Sequence, residues 1–147
     1  MKQNGMDVLA DVNVLLALVD AKHKAHRKVS RWFDELPEGS RLLVCRVAQM
    51  GLIRLVTSDL VMQGRALTMR EAWTFYGEFL QAPNVRFVDE PSDLQTHWLK
   101  FCLLFEQATK RVTDAYLAGL AMAGGYALVT LDKGFRDFEG LDLVLPE

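Results

Sequence analysis

Apolar residues along this chain fall into two kinds of stretch that alternate from one end to the other. One kind is short and continuous: VLADV within Met6–Val12, RLLVC at Arg41–Cys45, Val85–Val88, YALVTL at Tyr126–Leu131, and Leu141–Leu145. Such runs predict buried strands. The other kind is longer and has a helical period. Asn13–Asp20 is nearly all apolar and predicts a buried helix. Ala25–Leu36 carries Val29, Trp32, Phe33 and Leu36 as a stripe and is stopped by Pro37-Glu38-Gly39. Val47–Val56 presents Leu52, Ile53, Leu55 and Val56. Thr68 with Glu71 forms a capping-box pattern for a helix reaching about Gln81, before Pro83-Asn84. Ser92 predicts the cap of a helix running to about Gln107, and Thr113 the cap of one ending at Gly124-Gly125. Strands alternating with helices predict an α/β sandwich of three layers around a mainly parallel sheet of four or five strands.

Composition narrows this. The 147 residues are 50% hydrophobic, enough for one domain spanning 1–147 with its own core. No repeat, low-complexity tract or linker interrupts them. The apolar runs fall well short of the ~18 residues of a membrane span. Met1–Gly5 does not read as a secretory signal. Cys45 and Cys102 form no CxxC pair, which points to a reducing cytoplasm.

The net charge of −2 conceals an asymmetry. Residues 1–70 hold 11 Lys/Arg against 7 Asp/Glu, and residues 71–147 hold 6 against 12. The basic half can attract nucleic acid or an acidic partner, and the acidic half can hold cations. Solvated faces explain the same numbers.

Three carboxylates fall where an α/β sheet builds its site. Asp11 ends the first strand, Asp132 follows the YALVT strand, and Asp114 lies at a helix N-terminus. Brought together they repel unless a cation joins them, and hard oxygen donors suit Mg²⁺ or Mn²⁺. Each one alone is equally a cap or turn former. His23 and His26 lack a third ligand and read as solvated. Trp73, Phe75, Tyr76 and Phe79 share one helix and divide between core and an interface face.

Four stretches together resemble the PIN-domain ribonucleases, most closely the VapC-type toxins of bacterial toxin–antitoxin pairs. They are LADVNVLLAL (9–18), QMGLIRLVTS (49–58), RVTDAYLAGLA (111–121) and LVTLDKGFRDFEGL (128–141), in the family's order and spacing. The resemblance implies a metal-dependent endoribonuclease hydrolysing RNA phosphodiester bonds. Asp11, Asp114 and Asp132 would hold Mg²⁺ or Mn²⁺, with Gln49 in the fourth catalytic position. Asn13 and Thr130 would orient ligands or water. It further implies a homodimer, RNA (tRNA among the candidates) as substrate, and inhibition by a small antitoxin. Arg54 occupies a position such toxins often fill with Arg. Arg111, Lys133 and Arg136 flank the acids and would hold RNA phosphate.

Gln49 departs from the pattern, which has Glu there. It still offers an amide oxygen but leaves the cluster at −3 instead of −4. A tolerated variant, an impaired copy and an engineered knock-out are all compatible with it. Asp137 or Glu139 is a candidate for the missing charge. Two rival readings remain. One is a PIN-fold RNA- or protein-binding module that no longer cuts. The other is a receiver- or phosphatase-like domain using Asp11 as nucleophile, weakened by the lack of a DxD or paired acidic cluster on the first strand.

Overall fold

The computed structural model describes residues 5–147. Most of the N-terminal segment read as lacking a secretory signal, residues 1–4, lies outside them. Five strands form one sheet: β1 (Asp7–Ala10), β2 (Arg41–Val44), β3 (Val85–Phe87), β4 (Ala127–Val129) and β5 (Leu143–Val144). Their order is β3-β2-β1-β4-β5, and every pairing is parallel. Seven α-helices connect them: α1 (Val12–Val19), α2 (His26–Asp34), α3 (Arg46–Val56), α4 (Asp59–Met62), α5 (Met69–Phe79), α6 (Leu94–Cys102) and α7 (Val112–Gly124).

The continuous apolar runs mark strands covered on both faces. Val8, Leu9, Ala10, Leu42, Val44, Leu128 and Val129 are fully buried. Helices α1 to α5 pack among themselves and α6 packs on α7. Right-handed crossovers send these two groups to opposite faces, because the chain moves outward from β1 to β3 and then back past β1 to β4. The α6–α7 contact is close enough that a Cβ at Gly119 would sit 2.8 Å from the backbone nitrogen of Trp98. Gly125, with φ +71°, lets α7 stop where the Gly-Gly pair predicts.

The Thr68–Glu71 capping box is present, with both reciprocal hydrogen bonds made. Two other caps differ from expectation. Helix α6 begins after Asp93 rather than Ser92 and ends at Cys102, well before Gln107. Helix α7 grows out of a 3₁₀ turn at Thr109–Arg111, so Thr113 lies inside its first turn and caps nothing. A turn that already satisfies the first N–H groups makes a side-chain cap unnecessary. The four-residue α4 is too short to show a period in sequence. His23 and His26 serve the backbone rather than the solvent. Nδ1 of His23 accepts from the Ala25 N–H at 3.0 Å, and Nδ1 of His26 donates to the Ala17 carbonyl at 2.7 Å.

Candidate functional site

The strand order places the site before any side chain is considered. From β1 the chain winds one way through β2 to β3 and the other way through β4 to β5. A crevice therefore opens at the carboxyl ends of β1 and β4, where connections diverge. Asp11 follows the last residue of β1, and Thr130, Leu131 and Asp132 follow the last residue of β4.

Asp11 is buried, and its carboxylate is held at both oxygens. Oδ1 accepts the Val12 N–H at 2.7 Å, and Oδ2 accepts the Thr130 hydroxyl at 2.8 Å. Its backbone N–H donates to the Val129 carbonyl, tying the turn into α1 to β4. Thr130 is fully buried, and its hydroxyl oxygen accepts the Asp132 N–H at 3.0 Å while donating to Asp11. Asn13 spans the same gap. Its Oδ1 accepts the Leu131 N–H at 3.2 Å, and its Nδ2 reaches Thr130 Oγ1 at 3.5 Å. Asp132 is exposed and opens a 3₁₀ turn (Lys133–Asp137), with Oδ1 accepting the Gly134 N–H at 2.8 Å. Three side chains thus fix two strand ends to each other around one buried carboxylate.

Electrostatics couple the three acids. Burial holds the Asp11 carboxyl above its ordinary range, the hydrogen bonds from Thr130 and Val12 oppose that, and the charges of Asp114 and Asp132 add to it. Asp114 is also raised, again chiefly by burial, with Arg111 opposing and Asp132 adding. Even so, among the described residues no three His, Cys, Asp or Glu side chains converge closely enough to cage an ion on their own. A cation here would be held by one or two carboxylates and by water.

Gln49 is buried on α3, and its Oε1 accepts a hydrogen bond from Arg46, one turn earlier. Arg46 in turn lies 4.6 Å over the ring of Phe87. Sequence reasoning missed Arg46; the available signal was a cation three residues before a glutamine on one helix. The remaining cations divide. Arg111 is committed to the protein: its guanidinium meets Asp114 at 3.3 Å, Asp137 at 3.1 Å and the Gly134 carbonyl at 2.9 Å. It also lies over Phe105 and Phe138. That pairing occupies Asp137, which therefore does not replace the charge absent at Gln49, and Glu139 is exposed. Arg54 is exposed and lies about 140° around α3 from buried Gln49. Lys133 and Arg136 are exposed beside Asp132 and have no ion-pair partner among the described residues.

Comparison with known proteins identifies the family. The sequence model of the PIN domain family matches residues 8–141. Ribonuclease VapC41 of Mycobacterium tuberculosis is 36% identical over 142 residues, covering 94% of this chain and 97% of its own. Ribonuclease VapC44 of the same organism is 31% identical over 134 residues, covering 87% of each chain. Two solved structures share the fold. One is VapBC-1 from nontypeable Haemophilus influenzae, with TM-score 0.71, 12% identity, and 95% of this chain and 98% of that one covered. The other is Mycobacterium tuberculosis VapC20, described as a sarcin-ricin loop cleaving toxin, with TM-score 0.67, 15% identity, and 95% and 99% covered. With a family match across most of its length and a relative above 30% identity over nearly all of it, the chain belongs to the PIN-domain family, among the VapC ribonucleases.

Proposed function

We propose that this protein is a divalent-metal-dependent endoribonuclease of the VapC type, the toxin of a toxin–antitoxin pair acting in the cytoplasm. The observation that carries the reading is the buried Asp11 carboxylate, fixed at the switch point by Thr130 and coupled to Asp114 and Asp132 with no cation on Asp11. A fold that buries an uncompensated acid has placed it for something other than stability.

The donor set fits Mg²⁺ or Mn²⁺. It is all oxygen, and Mg²⁺ keeps several waters and binds through one or two carboxylates rather than a closed cage. Asp11, Asp114 and Asp132 would hold the ion, directly or through water. When bound it supplies a water of lowered pKa and counter-charge for the phosphodiester. The protein's own part is orientation. Thr130 fixes the rotamer of Asp11 and the approach of Asp132. Asn13 locks the β4 turn. Gln49 presents a neutral amide already engaged by Arg46. Lys133 and Arg136 hold RNA phosphate, so binding weakens as salt rises. Arg111 offers its charge to RNA only by loosening from Asp114.

The antitoxin reading rests on the VapC relatives and the VapBC likeness in fold. The homodimer is supported by exposed Met69 and half-exposed Trp73 on α5. No described helix is long and apolar enough to cross a membrane.

A second reading, a PIN-fold binding module that no longer cuts, is favoured by one observation: the fourth position is a glutamine paired with an arginine. Cleavage of a mixed pool of tRNA and structured RNA in Mg²⁺ or Mn²⁺ decides between the two. The chain should cut, and Asp114→Asn should not. If only Gln49→Glu cuts, the site is right and this chain is an impaired copy. If none cuts while RNA or a partner peptide still binds, the module reading replaces the nuclease.

A further inference from the structure

A second cavity adjoins the acidic crevice at the carboxyl edge of the sheet. It measures about 290 Å³ and is lined by Arg46, Phe87, Val88, Asp89, Glu90 and Tyr116. It meets the crevice through Arg46, the residue that holds Gln49, while α7 lends it Tyr116 from a face different from that of Asp114. The cavity is small and offers room for one base rather than a folded ligand.

Its chemistry is mixed in a specific way. One wall is a plane, with the Arg46 guanidinium 4.6 Å over the Phe87 ring. Unstacked RNA bases settle on such aromatic and guanidinium planes. The lining also carries two acids. Glu90 is held in place by the Tyr116 hydroxyl, which donates to its Oε2 at 2.6 Å, and Asp89 is its neighbour in the chain. That bond uses one Glu90 oxygen and leaves the other available.

A base lying on that plane turns its edge, not its face, to the acids, so it must present donors there. Among the four RNA bases guanine does so best: N1–H and N2–H donate side by side, to the free Glu90 oxygen and to Asp89. Uracil has one ring donor, and adenine and cytosine offer only an exocyclic amine.

We propose that this cavity is a guanine-binding subsite of the RNA site, with Arg46 and Phe87 as its platform and Glu90 and Asp89 reading the base edge. The proposal rests on the ribonuclease reading for its role in cleavage, but not for guanine binding itself.

Two measurements test it together. RNA with a randomised single-stranded loop is cut, and the ends are sequenced. Guanine should be enriched at one fixed offset from the cut by about tenfold, and Glu90→Gln or Asp89→Asn should erase the enrichment. In parallel, GMP, AMP, CMP and UMP are titrated against the metal-free protein by amide NMR. GMP alone should shift Arg46, Phe87 and Tyr116 saturably, and Glu90→Gln should abolish the shifts while leaving the remaining spectrum that of a folded protein. Phe87→Leu should weaken both effects without reversing the base preference.

Cleavage with no guanine preference at any offset overturns the subsite, even where GMP binds, since the cavity would then serve a free nucleotide. An equal response to all four nucleotides, or to none, overturns guanine recognition. If neither this chain nor Gln49→Glu cuts RNA, the ribonuclease reading fails, and the titration alone still decides whether the cavity takes guanine.

Discussion

Strand β1 is bracketed by two aspartates four residues apart, and they meet opposite fates. Asp7, at its start, faces Arg41 at the start of β2. The pair is bidentate, with Nε–Oδ1 at 2.8 Å and Nη2–Oδ2 at 2.7 Å, and the Asp7 carboxyl is held below its ordinary range chiefly by that bond. Asp11, at its end, is buried without a cation, and its carboxyl is held above its ordinary range. The amino edge of the sheet thus resolves its charge and the carboxyl edge retains it. The register explains part of this. Parallel pairing sets Asp7 opposite Arg41, whereas past the ends of β1 and β4 the neighbours of Asp11 are a hydroxyl, an amide and two more acids. Stability is served at one end, and an electrostatic cost is kept for a cation and phosphate at the other.

The sharpest way to break this contrast is to neutralise each aspartate in turn. Asp11→Asn keeps a cap for α1 and the shape of the side chain. It should lower cleavage by about 100-fold or more, since even residues that only orient metal ligands are worth ~10–100-fold. The same change should stabilise the metal-free protein at neutral pH. A carboxyl raised in the folded state costs stability as pH rises through its raised value, so removing it helps there and does nothing in acid. A gain of about 1 kcal/mol would appear as a rise of roughly 2–4 °C in Tm. A fall in Tm at neutral pH would show that Asp11 is a structural residue.

Thr130→Val comes next. It leaves Asp11 Oδ2 and the Asp132 N–H without the hydroxyl that serves both. Stranding buried polar groups should cost about 1–3 kcal/mol in denaturant unfolding, and loss of the Asp11 rotamer should lower activity by roughly 10–100-fold. Thr130→Ser keeps the hydroxyl and should recover most of the activity. If valine and serine behave alike, the hydroxyl does not orient Asp11.

How much of this was legible beforehand follows the same division. The strands could be read because both faces of the sheet are covered, which turns each into an unbroken apolar run. The capping box at Thr68 could be read because its two partners are three residues apart. Asp11, Asp114 and Asp132 could be named from their positions at strand and helix ends. The partners of the site could not. Thr130 and Asp11 are 119 residues apart, and Arg111 meets Asp137 across 26. Only the folded sheet decides that Arg111 spends its charge on Asp114 and Asp137 rather than displaying it. Arg46 escaped notice because its importance comes from Phe87 and the cavity beside it, not from its helix.

The smallest expected effect lies at the stabilised end. Asp7→Asn removes one arm of an ion pair whose side chains are 43% and 32% exposed for Arg41 and Asp7. Water screens such a pair, so the loss should be under about 1 kcal/mol, and cleavage should not change. The sign with pH is the reverse of that at Asp11. A carboxyl lowered in the folded state contributes stability above its ordinary range and loses it as pH falls through the lowered value. Denaturant midpoints of the wild type and Asp7→Asn should therefore differ at pH 7 and converge in acid, while those of Asp11→Asn differ in the opposite direction before converging. Added salt should shrink the Asp7 gap more than the Asp11 gap, because exposed pairs are screened and buried groups much less so. If both gaps had the same sign at neutral pH, the two ends of β1 would be electrostatically alike, and the case for Asp11 as a charge kept for function would fall.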